Sequence, residues 1–220
     1  MATPPDPAGR LTVFAATGLE AWAARRALPR DVAVVRVGVG LRAWARPAPG
    51  PFVSCGLAGA LTPEIAPGAV LIPEWVGLPT GERFRCDPPL VAALVAAARA
   101  LGREPVTAPL VTTPRLVTGP ARRAWAARGF AGADMESGLL LAWHPRGAVA
   151  RVVLDAPGRD LAPAWARPAR IALAPWLWPQ ALRIAAVAPA YALRAAAVVR
   201  AAVPDYGLQI ADCRSKIADS

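Results

Sequence analysis

Lysine is all but missing from this chain: of its 25 basic residues only Lys216 is lysine, which leaves 24 arginines, and His144 is the only histidine. Cysteine is nearly as sparse. Cys55, Cys86 and Cys213 are odd in number and far apart, fitting neither a disulfide framework nor a metal-binding pair. No basic run is interleaved with base-stacking aromatics, and no helix-turn-helix or zinc-finger spacing occurs, which argues against nucleic acid as a partner. No apolar run reaches the roughly 18 uninterrupted residues of a spanning helix. The nearest, Ile184 to Val203, is broken by Pro189, Arg194 and Arg200. The opening MATPPDPAGR carries Asp6 and several prolines without an apolar core, so it does not read as a signal peptide. A reducing cytoplasm is the expected compartment.

What is present bounds the fold. At 220 residues the chain holds one sizeable core and is short for two domains. We divide it into a tail over 1–10, a single domain over 11–203 and a polar, fraying tail over 204–220. Hydrophobic residues make up 55%, much of it alanine, and with 25 prolines and abundant arginine this skew fits a GC-rich coding sequence. The net charge of +10 therefore has two readings: a solvated arginine surface, or attraction for phosphate-bearing ligands or anionic lipid.

Apolar runs bounded by turn residues predict strands at Leu11–Ala15, Val32–Val37 (closed by Gly38 and Gly40), Phe52–Cys55, Ala69–Ile72, Leu110–Thr113 and Ala148–Leu154. Helical patterns lie between them, at Leu19–Leu28, Pro88–Leu101, Pro120–Arg128 and Met135–Trp143. The second of these has proline at its start and Gly102 past its end, the usual asymmetry. The alternation argues for an α/β fold with a central sheet covered on both faces. Ligands in such sheets sit beyond the carboxyl ends of strands, which brings Gly56, Thr113 and Asp155 towards one cleft. From Leu161 to Val203 there is no acid, while five arginines (Arg167, Arg170, Arg183, Arg194, Arg200) accompany Trp165, Trp176, Trp178 and Tyr191. That stretch reads either as a C-terminal helix packed on the sheet or as a peripheral, lipid-facing surface.

Three motifs carry chemistry. VSCGLAGAL, Val53 to Leu61, puts Gly56 and Gly59 directly after a strand, where backbone N–H groups can cradle an anion or the chain can simply turn. In ADMESGLLLA, Ala133 to Ala142, Glu136 opens an apolar helix, and in RVVLDAP, Arg151 to Pro157, Asp155 ends an apolar strand. An unpaired buried carboxylate costs several kcal/mol, so lone acids in apolar runs are usually held for a ligand, partner or metal. The bland readings are a helix-dipole role for Glu136 and a turn role for Asp155. His144 reads as a helix-terminal histidine without a chemical task, and Cys55 as a small buried hydrophobe.

Together these motifs resemble the nucleoside phosphorylase and nucleosidase family, whose pattern is a strand plus G-x-A-G, then D-M-E, then a strand ending in an acid. The resemblance covers roughly Leu11 to Pro163. It implies a three-layer αβα fold with a central mixed sheet, and a homo-oligomer. By the same resemblance Ala58 and Gly59 line the ribose and nucleophile pocket, Met135 and Glu136 contact the ribose, and Asp155 addresses N7 of a departing purine. Arg151 stands at the family's arginine position. The chain departs from the pattern at Leu57 and Leu154, where hydroxyl residues are usual. It also departs in the first strand–helix connection: by ungapped count Trp22 stands where hydrolytic members carry a water-activating glutamate, with Glu20 two positions early. That count favours phosphorolysis, with inorganic phosphate as co-substrate held by the Gly56–Gly59 amides, Arg151 and Arg115, and with no cofactor or metal. The alternatives are a hydrolytic nucleosidase using Glu20 and a non-catalytic nucleoside- or lipid-binding homologue. Short length, RDLAP (Arg159 to Pro163) and the arginine- and alanine-rich C-terminal helix most resemble the phosphorylases associated with hopanoid biosynthesis. The implied substrate is then a lipid-linked nucleoside, adenosylhopane, and peripheral membrane contact is implied with it.

Overall fold

A computed structural model describes residues 11–44, 50–162 and 174–218, with side chains up to position 204. The 1–10 segment, Pro163, Trp165, Arg167 and Arg170 lie outside the described residues. Among the described residues nine strands form one mixed sheet: β1 (Thr12–Ala15), β2 (Ala33–Arg36), β3 (Phe52–Ala60), β4 (Val70–Leu71), β5 (Trp75–Gly77), β6 (Arg83–Arg85), β7 (Leu110–Thr112), β8 (Gly132–Asp134) and β9 (Gly147–Asp155). The α-helices of the described residues that cover it are α1 (Gly18–Ala27), α2 (Pro88–Ala100), α3 (Pro120–Ala126), α4 (Ser137–Trp143) and α5 (Trp178–Ala218). The α/β architecture with a central mixed sheet and helices on both faces is as expected.

Strand β3 organises the sheet. Its first half pairs in parallel with β1, its last residues pair antiparallel with β8, and β9 runs parallel along its whole other edge. Alternation along these strands sorts the core into two faces. Val13, Val53, Cys55, Ala148, Ala150 and Val152 point to the face covered by α1, α2 and α5, while Phe14, Phe52, Val149 and Val153 point towards α4. The same parity puts Ser54, Gly56 and Arg151 on the α4 face, which is how a charged group comes to lie in the middle of an apolar strand.

Local signals account for the helix starts. Thr17 and Glu20 form a capping box at α1, and Asp87 caps α2 by accepting from the Leu90 amide ahead of the buried stripe Leu90, Ala93, Leu94, Ala97 and Ala98. Strands β5, β6 and β8 were not foreseen. Each is three residues long and is made by its neighbours' hydrogen bonds rather than by an apolar run of its own. Strand β3 also runs past Cys55 to Ala60, because β9 and β8 pair with its glycines. Helix α4 starts at Ser137 rather than Met135, and α5 continues beyond Pro204 to Ala218, where the sequence reads as a fraying end.

Candidate active site

A cavity of about 360 Å³ opens beyond the carboxyl ends of β1, β3 and β9. Asp155, Glu136, Met135, Ala58, Gly59 and Glu20 all line it, as does Thr113. Arg151 and Gly56 sit just beneath. The residues singled out from sequence therefore converge, although they come from α1, β3, β9 and the β8–α4 junction.

Arg151 is the hub. It is 1% exposed, and its Nη2 donates to Asp134 Oδ2 at 2.7 Å, Ser54 Oγ at 2.9 Å and Ser137 Oγ at 3.1 Å. The same nitrogen lies 3.5 Å from Glu136 Oε2, and Nη1 lies 3.7 Å from Glu20 Oε1. Three buried carboxylates thus share one guanidinium, and the cavity floor carries surplus negative charge. Asp134 is held further by Thr112 Oγ1 at 2.5 Å and by the Ser137 hydroxyl.

Glu136 occupies the N-cap position of α4, at the positive end of the helix, but makes no capping hydrogen bond. Instead its Oε1 accepts from the Gly40 amide at 2.9 Å. The turn at Gly38–Gly40 aims that amide by adopting positive φ at both glycines. Burial pushes the Glu136 carboxyl up to about 7; Arg151 opposes the shift, and the charges of Asp134 and Glu20 add to it.

Glu20 is fixed on both oxygens. Oε1 accepts from the Leu57 amide at 2.7 Å, and Oε2 accepts from the amide and hydroxyl of Thr17 at 2.8 Å each. Trp22 lies outside the cavity lining and is 48% exposed. The ungapped count is therefore corrected: the glutamate beside the cavity is Glu20, and Trp22 replaces nothing there. A helix places residues by angle, so an offset of two turns a side chain to the opposite side.

The glycines are corrected as well. Gly56 and Gly59 lie inside β3, their strand paired along β9, and neither has positive φ, so the anion-cradling loop does not form. Their small size does something else. A Cβ on Gly56 would stand 2.1 Å from Glu20 Oε1 and 2.6 Å from Arg151 Nη1, and one on Gly59 would stand 3.0 Å from Asp155 Oδ1. The glycines make room for the carboxylates.

Asp155 is the counter-ion of Arg122, a residue for which the sequence offered no signal. Buried in α3, Arg122 donates to Asp155 Oδ2, to the Ala60 carbonyl and, through Nε, to Asp160 Oδ1 at 2.5 Å. The Leu161 amide also donates to Asp155 Oδ2 at 3.2 Å, and Oδ1 has no partner among the described residues. Asp160 and Leu161 belong to the RDLAP segment, so that segment and Arg122 together hold Asp155 in place. Burial raises the Asp155 pKa, outweighing the opposing guanidinium and the two hydrogen bonds.

His144 ends α4, its Nδ1 accepting from the Arg146 amide at 3.3 Å, and burial pushes the Cys55 thiol up to about 12. Arg115 stands at the exposed rim of the cavity. Among the described residues no group of His, Cys, Asp and Glu is arranged to hold a metal ion. The wall opposite the carboxylates is apolar, formed by Leu19, Leu57, Leu116, Leu154 and, from α5, Ile184 and Ala188.

The shift on Glu136 has a measurable sign. If its carboxylate anchors a ligand hydroxyl, kcat/KM should rise with pH through an apparent pKa near 7, and Glu136→Gln should abolish that limb in the residual activity. Stability runs the other way. The folded chain keeps a proton that the unfolded chain releases above 4.5, so this contribution is full below 4.5 and fades as pH climbs towards 7. A pH profile unchanged by Glu136→Gln would remove Glu136 from the binding role.

No protein-family model and no curated protein matches the sequence. Solved structures do. A futalosine hydrolase mutant of Helicobacter pylori superposes with a TM-score of 0.65 at 10% identity, covering 89% of this chain and 99% of that one. A 5′-methylthioadenosine/S-adenosylhomocysteine nucleosidase of Neisseria meningitidis, in complex with methylthio-immucillin-A, gives 0.64 at 16% identity over 88% and 98%. A putative nucleosidase of the same kind from Borrelia burgdorferi, bound to adenine, gives 0.69 at 10% identity over 88% and 99%. The chain has the nucleoside phosphorylase/nucleosidase fold; identities this low carry the fold and nothing more.

Proposed function

We propose that this chain cleaves the N-glycosidic bond of an adenosine derivative, with water as the nucleophile and an apolar group on the 5′ carbon of the sugar. The observation that carries the reading is that Glu20, Glu136 and Asp155 line one cavity whose wall is mostly apolar. Each carboxylate has a separate task. Glu136 accepts hydrogen bonds from the ribose hydroxyls and Met135 packs on the sugar. Asp155, held through Oδ2, offers Oδ1 to N7; its raised pKa suits a group that must carry a proton to a poor leaving group, a contribution of roughly 10²–10⁴ in rate. Glu20, held in place by three donors, takes the proton from water. The surplus negative charge favours the oxocarbenium-like cation that develops on the sugar, and the same surplus disfavours a phosphate dianion. Among substrates with an apolar 5′ group, adenosylhopane, giving ribosylhopane and adenine, is the one to which the sequence resemblance points; Ile184, Ala188 and Leu116 would meet its hydrocarbon.

Phosphorolysis is the second reading, favoured by Arg115 at the cavity rim. Product analysis separates the two. Incubated with methylthioadenosine in phosphate-free buffer, the protein should release adenine and free sugar at full rate. A requirement for inorganic phosphate with a sugar 1-phosphate product would select phosphorolysis. Binding without adenine release from methylthioadenosine or adenosylhopane, with phosphate or without, would reject an enzyme and leave a nucleoside-binding protein.

A further inference from the structure

Every exposed residue from Pro175 to Ala190 is apolar or small. Within α5, Trp178, Leu182, Ala185, Ala186 and Ala190 recur at the spacing of one helix face, where a surface helix normally carries charge. Trp178 is 53% exposed, Leu182 73%, and Trp176, in the turn before the helix, 77%. Contiguous exposed apolar surface of this kind marks an interaction site. The other side of α5 packs on α1, α2, β3 and β9. The helix is long and apolar enough to cross a membrane, but its inner residues Ala188, Ala192, Ala195 and Val199 are core. Only the outer face is free to meet a partner.

Charge gives the partner its sign. Helix α1, packed against α5, exposes Trp22, Arg25 and Arg26 and is followed by exposed Arg30, with Asp31 the one exposed acid between Gly18 and Arg36. Helix α5 adds Arg183, and no acid occurs between Leu161 and Val203. A two-fold pairing of this face with a second copy would bring like-charged arginines together, whereas an anionic surface complements them.

We propose that this face is a peripheral membrane-docking surface, with Trp176, Trp178 and Leu182 seated in the interfacial layer of an anionic bilayer and the neighbouring arginines against its head groups. The opposite side of the same helix presents Ile184 and Ala188 to the cavity. Docking would hold the cavity's apolar wall beside the lipid, so that a lipid-linked ligand has a short path between the two. The docking proposal does not depend on the cleavage reaction and is tested without it.

The full chain is sedimented with vesicles of phosphatidylcholine and with vesicles of phosphatidylcholine mixed with phosphatidylglycerol. Binding is expected to the mixed vesicles, weakened by high salt, with a blue shift of tryptophan fluorescence. The triple variant Trp176→Ser, Trp178→Ser, Leu182→Ser should lose at least about tenfold in vesicle affinity while keeping its thermal transition. Equal binding of wild type and triple variant would overturn the proposal, and so would no binding at all. A wild-type dimer in lipid-free buffer that the triple variant dissolves would show instead that the face is an interface between copies.

Discussion

Asp155→Asn should lower adenine release by at least about 10²-fold, because the amide keeps the shape but has no proton to give to N7. The loss should fall on kcat and kcat/KM together, since the interaction strengthens only as the purine departs. The Arg122 contact adds a second effect. Asparagine is uncharged, so Arg122, 1% exposed, is left with Asp160 and the Ala60 carbonyl, and unfolding stability should fall by about 1–3 kcal/mol. Turnover is therefore measured well below the shifted thermal transition. Folded Asp155→Asn protein with near wild-type turnover would remove Asp155 from the chemistry and leave it only as the partner of Arg122.

Glu20→Gln should reduce hydrolysis by about 10²-fold or more, with little change in KM, because the base acts on water rather than on the nucleoside. Geometry adds a stability cost here too. Both carboxylate oxygens accept hydrogen bonds, from Leu57 on one and Thr17 on the other. An amide can accept on one side only, and its NH₂ would face a backbone donor, costing about 1–3 kcal/mol. Trp22→Ala provides the contrast, since this half-exposed side chain lies away from the cavity and its loss should leave the rate within about twofold. If Trp22→Ala is the damaging change and Glu20→Gln is benign, the base has been assigned to the wrong residue. If both are benign while turnover needs phosphate, phosphorolysis stands.

How far the site could be read beforehand differs by residue. Asp155 and Glu136 stood out because each is an acid in an apolar run, and burying a charge is costly enough that such a residue needs a reason. Asp134 lies in the same motif, yet its part emerged only with β8, a strand too short to show periodicity. Its carboxylate anchors Arg151, Thr112 and Ser137 at once. The glycines of Val53 to Leu61 act by their size rather than by cradling an anion. Gly-rich sequence suggests a turn, but pairing with β9 carries β3 on through both glycines, with a register shift between Ala58 and Gly59, and leaves the missing Cβ atoms as room for Glu20, Arg151 and Asp155.

What the sequence showed by itself is the alternation of layers and the two acids that stand in apolar runs, because hydrophobic period and an acid out of place are local signals that neighbouring residues suffice to reveal. The alternation of strands and helices and the acids at Glu136 and Asp155 belong to this class. What only the tertiary structure decided is which charge faces which. Arg122 is one arginine among 24 and carries no mark in the sequence of its burial against Asp155. Whether Glu20 or Trp22 faces the cavity depends on the rotation of α1 against the sheet, which a linear count does not contain. Electrostatic partnership depends on distance in space and on the loss of water around a pair, and both are set by how distant segments pack.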